Sequence, residues 1–430
     1  MQTADVFTKL EPELQPDPAR TVIRPFRFAY PEAFAQGATR AQKVVDRLAG
    51  LDQDVRERML VFVMGPMRTR HRNAERTFRW QVESLAEEID VSALTQSDRL
   101  LLGAYFSQEF AFEAAALFNP SIIPLPESDG KDRAGKDHVR FLLSLRGIGE
   151  GHVSSVTFRT GTWDCATGLT IDAASPHCMT PDIQSDDEGW VRLQCDDSEN
   201  VTETVIFPIL PDQRQGVEDL RMVLFVEDDG SETLLGTYTA FDGRTARQGL
   251  LRGIDLRTFE MRTLEGAMSG YKGMALFPRK IDGQFVMLGR QDGENIWLLR
   301  SDDLYRWDAG SPIMAPRYPW EFVQLGNCGS PIEIEEGWLV FTHGVGLVRG
   351  YCIGACLLDR ADPSKVLLRT RAPLVFPSAE QHGGYVPNVT YSCGALVHRR
   401  RVLLPYGIGD QFTGFAVADL DDLLGTMEPA

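Results

Sequence analysis

Glu218-Asp219-Leu220-Arg221 sets two carboxylates and an arginine directly ahead of an apolar run, Met222 to Val226. A carboxyl group held at the mouth of such a segment can work as a general acid. Other polar residues stand at the starts of comparable apolar segments: Asn119, Lys272, Asn327 with Ser330, and Asn388. A further set lies on the segments that follow: Arg146, Arg290, His343 and Tyr406. Polar groups at inward positions of apolar hairpins are costly to bury unless they are paired or face a ligand. Amides, a carboxylate pair and cations together suit a polyol with an anion beside it. Each residue alone has an ordinary explanation. Asn119 before Pro120 and Asn388 after Pro387 read as turn residues, Lys272 as exposed, His343 as a hydrogen-bonded core histidine, and Glu218-Asp219 as a solvated turn. Repetition at one structural position is what favours a common site.

The elements that would bring these residues together begin at Phe118. From there, β-branched and aromatic runs are punctuated by Gly and Asp-Gly turns. Phe118 to Ile123 leads to Phe141 to Arg146. Glu218-Asp219 leads through Asp228-Asp229-Gly230 to Leu234 to Phe241. Tyr271 to Phe277 turns at Asp282-Gly283, Asn327 to Ile332 turns at Glu336-Gly337, and Tyr385 to Val389 leads to Val402 to Tyr406. The last four of these five starts recur roughly every 55 residues, as blades of four antiparallel strands would. The predicted fold is all-β: a five-bladed β-propeller over 118–430, in which first strands line a central channel. A sandwich fits less well, because its turns recur about every 8–12 residues.

Residues 1–117 read as an N-terminal arm and helical section. Pro16, Pro18, Pro25 and Pro31 break residues 1 to about 38 into an irregular arm. Helices are expected over Ala41–Leu51, over Val55–Met64 up to the break at Gly65-Pro66, along Phe78, Val82, Leu85 and Ile89, and over Leu100–Leu117. A basic cluster lies among them: Arg68, Arg70, His71, Arg72, Arg76 and Arg79. It reads first as a solvated helix start paired with the chain's excess acid, and second as a reach toward an active site of its own or a neighbouring subunit.

The net charge of −17 argues against nucleic acid and anionic membranes as partners. No apolar run approaches membrane-span length, and Met1 to Pro18 has no apolar signal core. The seven cysteines are odd in number and scattered, and the seven histidines lack ligand spacing. The expectation is a cytoplasmic protein with buried free thiols and no metal site.

Beyond single residues, ordered motifs run to the C-terminus. They are Phe118-Asn119-Pro120, Glu218-Asp219-Leu220-Arg221, Tyr238-Thr239-Ala240 with Asp242-Gly243, Lys272 with Leu276-Phe277-Pro278, and His343-Gly344-Val345. Then come Asp362-Pro363-Ser364-Lys365, Val386-Pro387-Asn388-Val389, and Tyr406-Gly407 with Asp410. In these motifs the sequence resembles glycoside hydrolase family 130, the β-mannoside phosphorylases and related mannosidases, which are five-bladed propellers. The resemblance implies Asp219 as proton donor to the glycosidic oxygen, passing the proton through a sugar hydroxyl, with inorganic phosphate attacking from the opposite face. It implies that Arg146 and Lys272 hold phosphate, with Arg290 beside them. Asn119, Glu218, Arg221, Asp242, His343, Asn388, Tyr406 and Asp410 would line the sugar site. No cofactor is implied, only an oligosaccharide and phosphate as co-substrate, and the N-terminal helices are candidates for contacts between subunits of a homo-oligomer.

The chain departs from that pattern where the phosphorylases usually carry His-Arg-Pro, for it has Gly289-Arg290-Gln291. His152 is a candidate replacement. An inverting hydrolase would instead need a second carboxylate about 6.5–9.5 Å from the acid, with water between them. Glu150, Glu321, Glu333 and Glu380 are the candidates. Retention of Arg146, Lys272 and Arg290 favours phosphorolysis over hydrolysis. A reading from another class is a non-catalytic sugar-binding propeller.

Overall fold

The runs separated by Gly and Asp-Gly fold into antiparallel hairpins in the computed structural model, which describes residues 5–31, 37–126, 137–185, 189–208, 210–377 and 384–430. The longer strands within the sheets are largely buried on both faces, and Gly337–Val345 is buried at every position. Such strands belong to sheets stacked between other sheets.

Five hairpin-built units follow one another along the chain. The first runs Ala116–Pro124, His138–Ile148, Ser154–Asp164 and Gly168–Ile171. The second runs Gly216–Val226, Glu232–Phe241, Ala246–Gly253 and Thr258–Thr263, and Val191–Gln194 extends its outer edge. A parallel pair, Gly216 with Ser154, links it to the first. The third runs Ala275–Leu276, Phe285–Gly289, Ile296–Ser301 and Gly310–Met314. The fourth runs Gln324–Asn327, Gly337–Val345, Tyr351–Leu358 and Val366–Thr370, and Met427–Pro429 pairs with its last strand. The fifth runs Thr390–Tyr391, Arg401–Ile408 and Phe412–Asp419, and its outer strand is Thr8–Leu14 from the beginning of the chain.

The hydrophobic clusters join these units in sequence. Leu142 and Phe158 of the first pack with Val217 and Met222 of the second. Phe225 of the second meets Leu276 and Met287 of the third, and Leu288 of the third meets Trp338 and Val340 of the fourth. Phe341 and Ile353 of the fourth meet Val402 and Leu404 of the fifth. Leu403 and Phe415 of the fifth return to Phe141 and Leu143 of the first. Burial of each such side chain contributes about 1.5–3 kcal/mol, so the contacts between sheets carry much of the stability.

Three sequence expectations need correction. The arm is not irregular throughout, because Thr8–Leu14 and Thr21–Pro25 are strands. Pro12 is tolerated because it lies on an edge strand whose register shifts between Leu10 and Leu14. Gly65-Pro66 does not end its helix, and Gln53–Arg70 runs through it. The donor that Pro66 lacks would have met Phe62 on the exposed face, where water can serve the freed carbonyl. The helix expected over Leu100–Leu117 ends at Tyr105. Ser107–Ala111 then pairs with Thr21–Pro25, because Phe110 and Phe112 fall at the two-residue spacing of a strand.

The other helices of this section, Arg40–Ala49 and Ala74–Glu83, the latter ending short of the Leu85 and Ile89 expected on it, pack with Gln96–Tyr105 through Val45, Leu48, Val82 and Leu101. The basic cluster is engaged by carboxylates: Arg70 pairs with Glu109 at 2.7 Å, Arg72 with Glu199 at 2.5 Å and Arg76 with Asp197 at 2.8 Å, while His71, which burial pushes below the ordinary histidine value, hydrogen-bonds Glu109 at 2.8 Å. Arg68 and Arg79 both meet Glu75, at 2.5 and 3.8 Å. A buried triad ties this part of the chain to the first sheet. Glu113 accepts from Arg20 at 3.2 Å and from Arg159 at 2.7 Å.

Candidate active site

Asn119 and Asp219 each interrupt the first strand of their unit. The pairing register slips between Phe118 and Ser121 and again between Glu218 and Arg221. At both slips the backbone turns left-handed, with φ of +49° at Asn119 and +52° at Asp219. Asn and Asp bear that conformation better than other side chains, and a bulge re-aims the residue it carries. The two side chains meet, and Asn119 Nδ2 donates to Asp219 Oδ1 at 2.8 Å. Asn388, of the fifth unit, has φ +64°, and its carbonyl accepts from Tyr351 N at 2.9 Å.

The cations gather on the carboxylate pair. Arg146 Nη2 donates to Glu218 Oε1 at 2.7 Å, and Nη1 stands 3.5 Å from Asp219 Oδ1. Ser154 Oγ holds Arg146 Nε at 2.9 Å, and the guanidinium lies over the Phe118 ring. Lys272 Nζ donates to the other oxygen of Glu218 at 3.1 Å and lies over Phe241. The Arg146 and Asp219 side chains keep 18% and 16% of their surface exposed, so a ligand can reach both. Burial alone would push Asp219 up. Arg146, Arg221, the Asn119 hydrogen bond and Lys272 outweigh it and hold the carboxyl below the usual carboxylate range.

Arg290 joins this group at Gly273, the neighbour of Lys272. A Cβ on Gly273 would fall 2.7 Å from Arg290 Nε, and one on Gly326 would fall 2.3 Å from Arg290 Cδ. The arginine therefore threads between two glycines to reach His343 Nε2 at 3.2 Å. Gln324 Nε2 approaches the same nitrogen at 3.3 Å. Two donors on Nε2 make it the acceptor, which places the ring proton on Nδ1. Burial, then Arg290 and Arg221, push His343 well below the ordinary histidine value, so it stays neutral. Gly326→Ala is expected to destabilise the fold by about 1–3 kcal/mol and to displace Arg290. Its readout is a lower Tm.

Residues 194–429 match the family model described as beta-1,4-mannooligosaccharide phosphorylase, which is more than half of the chain. The chain belongs to glycoside hydrolase family 130. It is 38% identical over 154 residues to a 1,2-beta-oligomannan phosphorylase of Thermoanaerobacter sp., covering 35% of this chain and 52% of the relative. It is 34% identical over 226 residues to a beta-1,2-mannobiose phosphorylase of the same organism, covering 51% and 72%. The chain thus spans about half the length of the first of these relatives. A glycosyl hydrolase structure from Bacteroides ovatus shares its fold, with a TM-score of 0.52 at 18% identity, covering 75% of this chain and 88% of that one.

Other residues expected at the site of the family 130 chain lie elsewhere or do other work. Arg221 is buried beneath it. Nε donates to Cys328 O at 2.8 Å, Nη1 to Asp219 O at 3.0 Å, and Nη2 to the Tyr391 hydroxyl at 2.8 Å, so it ties the second unit to the fourth and fifth. Tyr406 is a core residue packed with Leu404 and Ile408. Asp242 holds its own turn, accepting from the backbone of Arg244 and Thr245 at 2.7 Å each. His152 meets the Tyr385 hydroxyl at 2.7 Å at an exposed position, and nothing brings it to Arg290. At the position of the absent histidine, the Gln291 amide folds back over Gly289, with Oε1 2.4 Å from where a Cβ would stand. Of the four glutamates, Glu321 is bound by Arg369 at 2.5 Å, Glu333 is bound by Arg279, Glu150 is exposed, and Glu380 lies outside the described residues.

Asp410 does belong with the group. Burial pushes its carboxyl up to about 6, with Asp219 and Glu218 adding to the rise and Arg146 and Arg349 opposing it. Its ordinary value is 3.8, so the unfolded chain releases a proton across that window that the folded chain keeps, and stability falls as pH rises from 3.8 to about 6. Asp410→Asn is therefore expected to raise Tm above about pH 6 and to leave it unchanged below about pH 3.8, which a pH series of melting curves checks. Sequence reading missed Tyr391, Gln324 and Ser154. Tyr391 was within reach, for it closes the polar run that starts at Asn388.

Proposed function

We propose that this chain cleaves β-mannosides by phosphorolysis, releasing a sugar 1-phosphate with inversion. The observation that carries the reading is the convergence of Arg146 and Lys272 on the Glu218–Asp219 pair, with Arg290 adjoining them at Gly273. Phosphate arrives ionised, so it needs cations and no catalytic base. Asp219 gives its proton to the glycosidic oxygen, and a phosphate oxygen attacks the anomeric carbon from the far side. Asn119, Asn388 and Asp410 hold sugar hydroxyls. The names of the relatives, phosphorylases of β-linked mannosides, support the same sugar. Hydrolysis has less support, because Glu321 and Glu333 are engaged by structural arginines. A non-catalytic sugar-binding role leaves the cations on the acid pair without a purpose.

The five units read as blades of a five-bladed propeller. The support is that four hydrophobic clusters join consecutive units and another joins the fifth to the first. The helical section up to about residue 117 is a separate layer, except that Thr8–Leu14 belongs to the fifth blade. Exposed Val61 and Phe62 on Gln53–Arg70 support self-association through the helices. Phe62→Glu is then expected to shift sedimentation toward the monomer. Among the described residues no helix is long and apolar enough to cross a membrane. The free cysteines suit the cytoplasm. No metal or organic cofactor is needed in this reading.

Incubation with β-manno-, β-gluco- and β-galacto-disaccharides, with and without inorganic phosphate, tests the assignment. Sugar 1-phosphate formed only with phosphate is the expected result. Free sugar in both tubes would make the chain a hydrolase, and no product on any substrate would favour the binding role.

A further inference from the structure

Glu218 grips the two phosphate cations with its two oxygens, Oε1 on Arg146 at 2.7 Å and Oε2 on Lys272 at 3.1 Å. A carboxylate bridging two cations occupies the role that an anionic substrate would take. Asp219 takes what is left of Arg146, at 3.5 Å. These cations are thus neutralised by the acid pair itself, and an incoming dianion must compete for them.

We propose that phosphate binding loads the acid: the dianion displaces Glu218 and Asp219 from Arg146 and Lys272, and Asp219 takes up a proton from solvent as this happens. The inference rests on the phosphorolytic reading and adds to it a gate, in which the proton donor becomes competent only when the nucleophile is in place. Several groups face Asp219. Arg146 and Lys272 approach from the side, Arg221 from below through the Asp219 carbonyl, and Asn119 donates to Oδ1. Glu218, Asp410, Tyr391 and Cys393 complete the surroundings. While the cations are free to act on Asp219 it stays ionised, which matches its depressed value. A dianion cancels the charges of Arg146 and Lys272 and adds negative charge of its own, and both changes favour the protonated carboxyl.

The proton balance is complete. Solvent supplies one proton to Asp219 on binding. In the reaction the glycosidic C–O bond breaks, and its electron pair stays on the leaving oxygen, which takes that proton. A phosphate oxygen supplies the pair for the new C–O bond. Without phosphate, Asp219 is ionised and the site has no donor for hydrolysis.

Calorimetric titration of the full chain with inorganic phosphate at pH 7, in two buffers of different ionisation enthalpy, counts the protons. The same titration of Asp219→Asn, which keeps the shape and tolerates the left-handed backbone, removes the acid. The ionisation of phosphate itself is common to both proteins and cancels in the difference, and sulfate, a dianion with no proton to exchange at this pH, serves as a second probe. The expected difference approaches one proton taken up per anion bound. Glu218→Gln is expected to bind phosphate several-fold more tightly, because a competitor for the cations is gone. Phosphate binding with equal proton counts in the two proteins would overturn the gate and leave phosphorolysis standing. Absence of phosphate binding would overturn both. Weaker binding by Glu218→Gln would show that Glu218 is no competitor and would overturn the displacement.

Discussion

Asp219→Asn is expected to lower kcat for disaccharide phosphorolysis by about 10²–10⁴-fold, the usual contribution of a positioned general acid, while disaccharide binding persists. The asparagine keeps the hydrogen-bonding reach to Asn119 and accepts φ of +52°, so the loss would reflect missing proton transfer and not a collapsed site. Calorimetry with a disaccharide, beside initial rates, separates the two. Unchanged turnover would remove Asp219 from the chemistry and leave Asp410, the neighbouring carboxyl raised to about 6, as the proton source to examine next. The double replacement would then be the deciding measurement.

The second large effect concerns stability. Arg221→Leu is expected to destabilise the protein by about 3–5 kcal/mol, the cost of stripping a buried charge from its partners. Three contacts fail together: the carbonyls of Cys328 and Asp219 and the Tyr391 hydroxyl lose their donor. Each belongs to a different part of the structure, so the loss loosens the second, fourth and fifth units at their common meeting point. Arg221→Lys should recover little, because an ammonium group cannot copy the planar fork that serves three directions. Denaturant melts of the three proteins, read as midpoint shifts at constant slope, would measure this. An Arg221→Leu midpoint equal to that of the parent would show that Arg221 is not a structural tie.

The residues that gather at the site were readable because polar side chains in otherwise apolar strands need a reason. Asn119, Arg146, Glu218 and Asp219 meet that description, and the structure brings them together with Lys272, which stands exposed just ahead of its strand. Direction was harder to read. Arg221 and Arg290 look alike in sequence, yet one faces three protein acceptors and the other passes between glycines of two sheets. Asp242 was drawn in by its motif, but an aspartate before glycine is first of all a turn former, and that is what it does. The bulges beneath Asn119 and Asp219 leave no local mark, since pairing register depends on the partner strand. The arm was misread for a similar reason. A proline is tolerated on an edge strand, and Thr8–Leu14 takes the edge beside Phe412–Asp419, in the last hairpin of the chain.

That edge has a consequence for how the molecule is made. Thr8 pairs with Val417, so this segment can find its partner only after all the residues between them have been made. At about 5–20 residues per second the wait is tens of seconds, during which the fifth sheet lacks its outer strand and Thr8–Leu14 has nothing to pair with. An unpaired strand edge invites pairing with other chains. The alternation of Lys9, Glu11 and Glu13 along that strand keeps charges on it throughout the wait. Pairing of Thr8–Leu14 with Phe412–Asp419 is therefore a late event in biosynthesis, and a fusion partner attached ahead of Thr8 would act on that step.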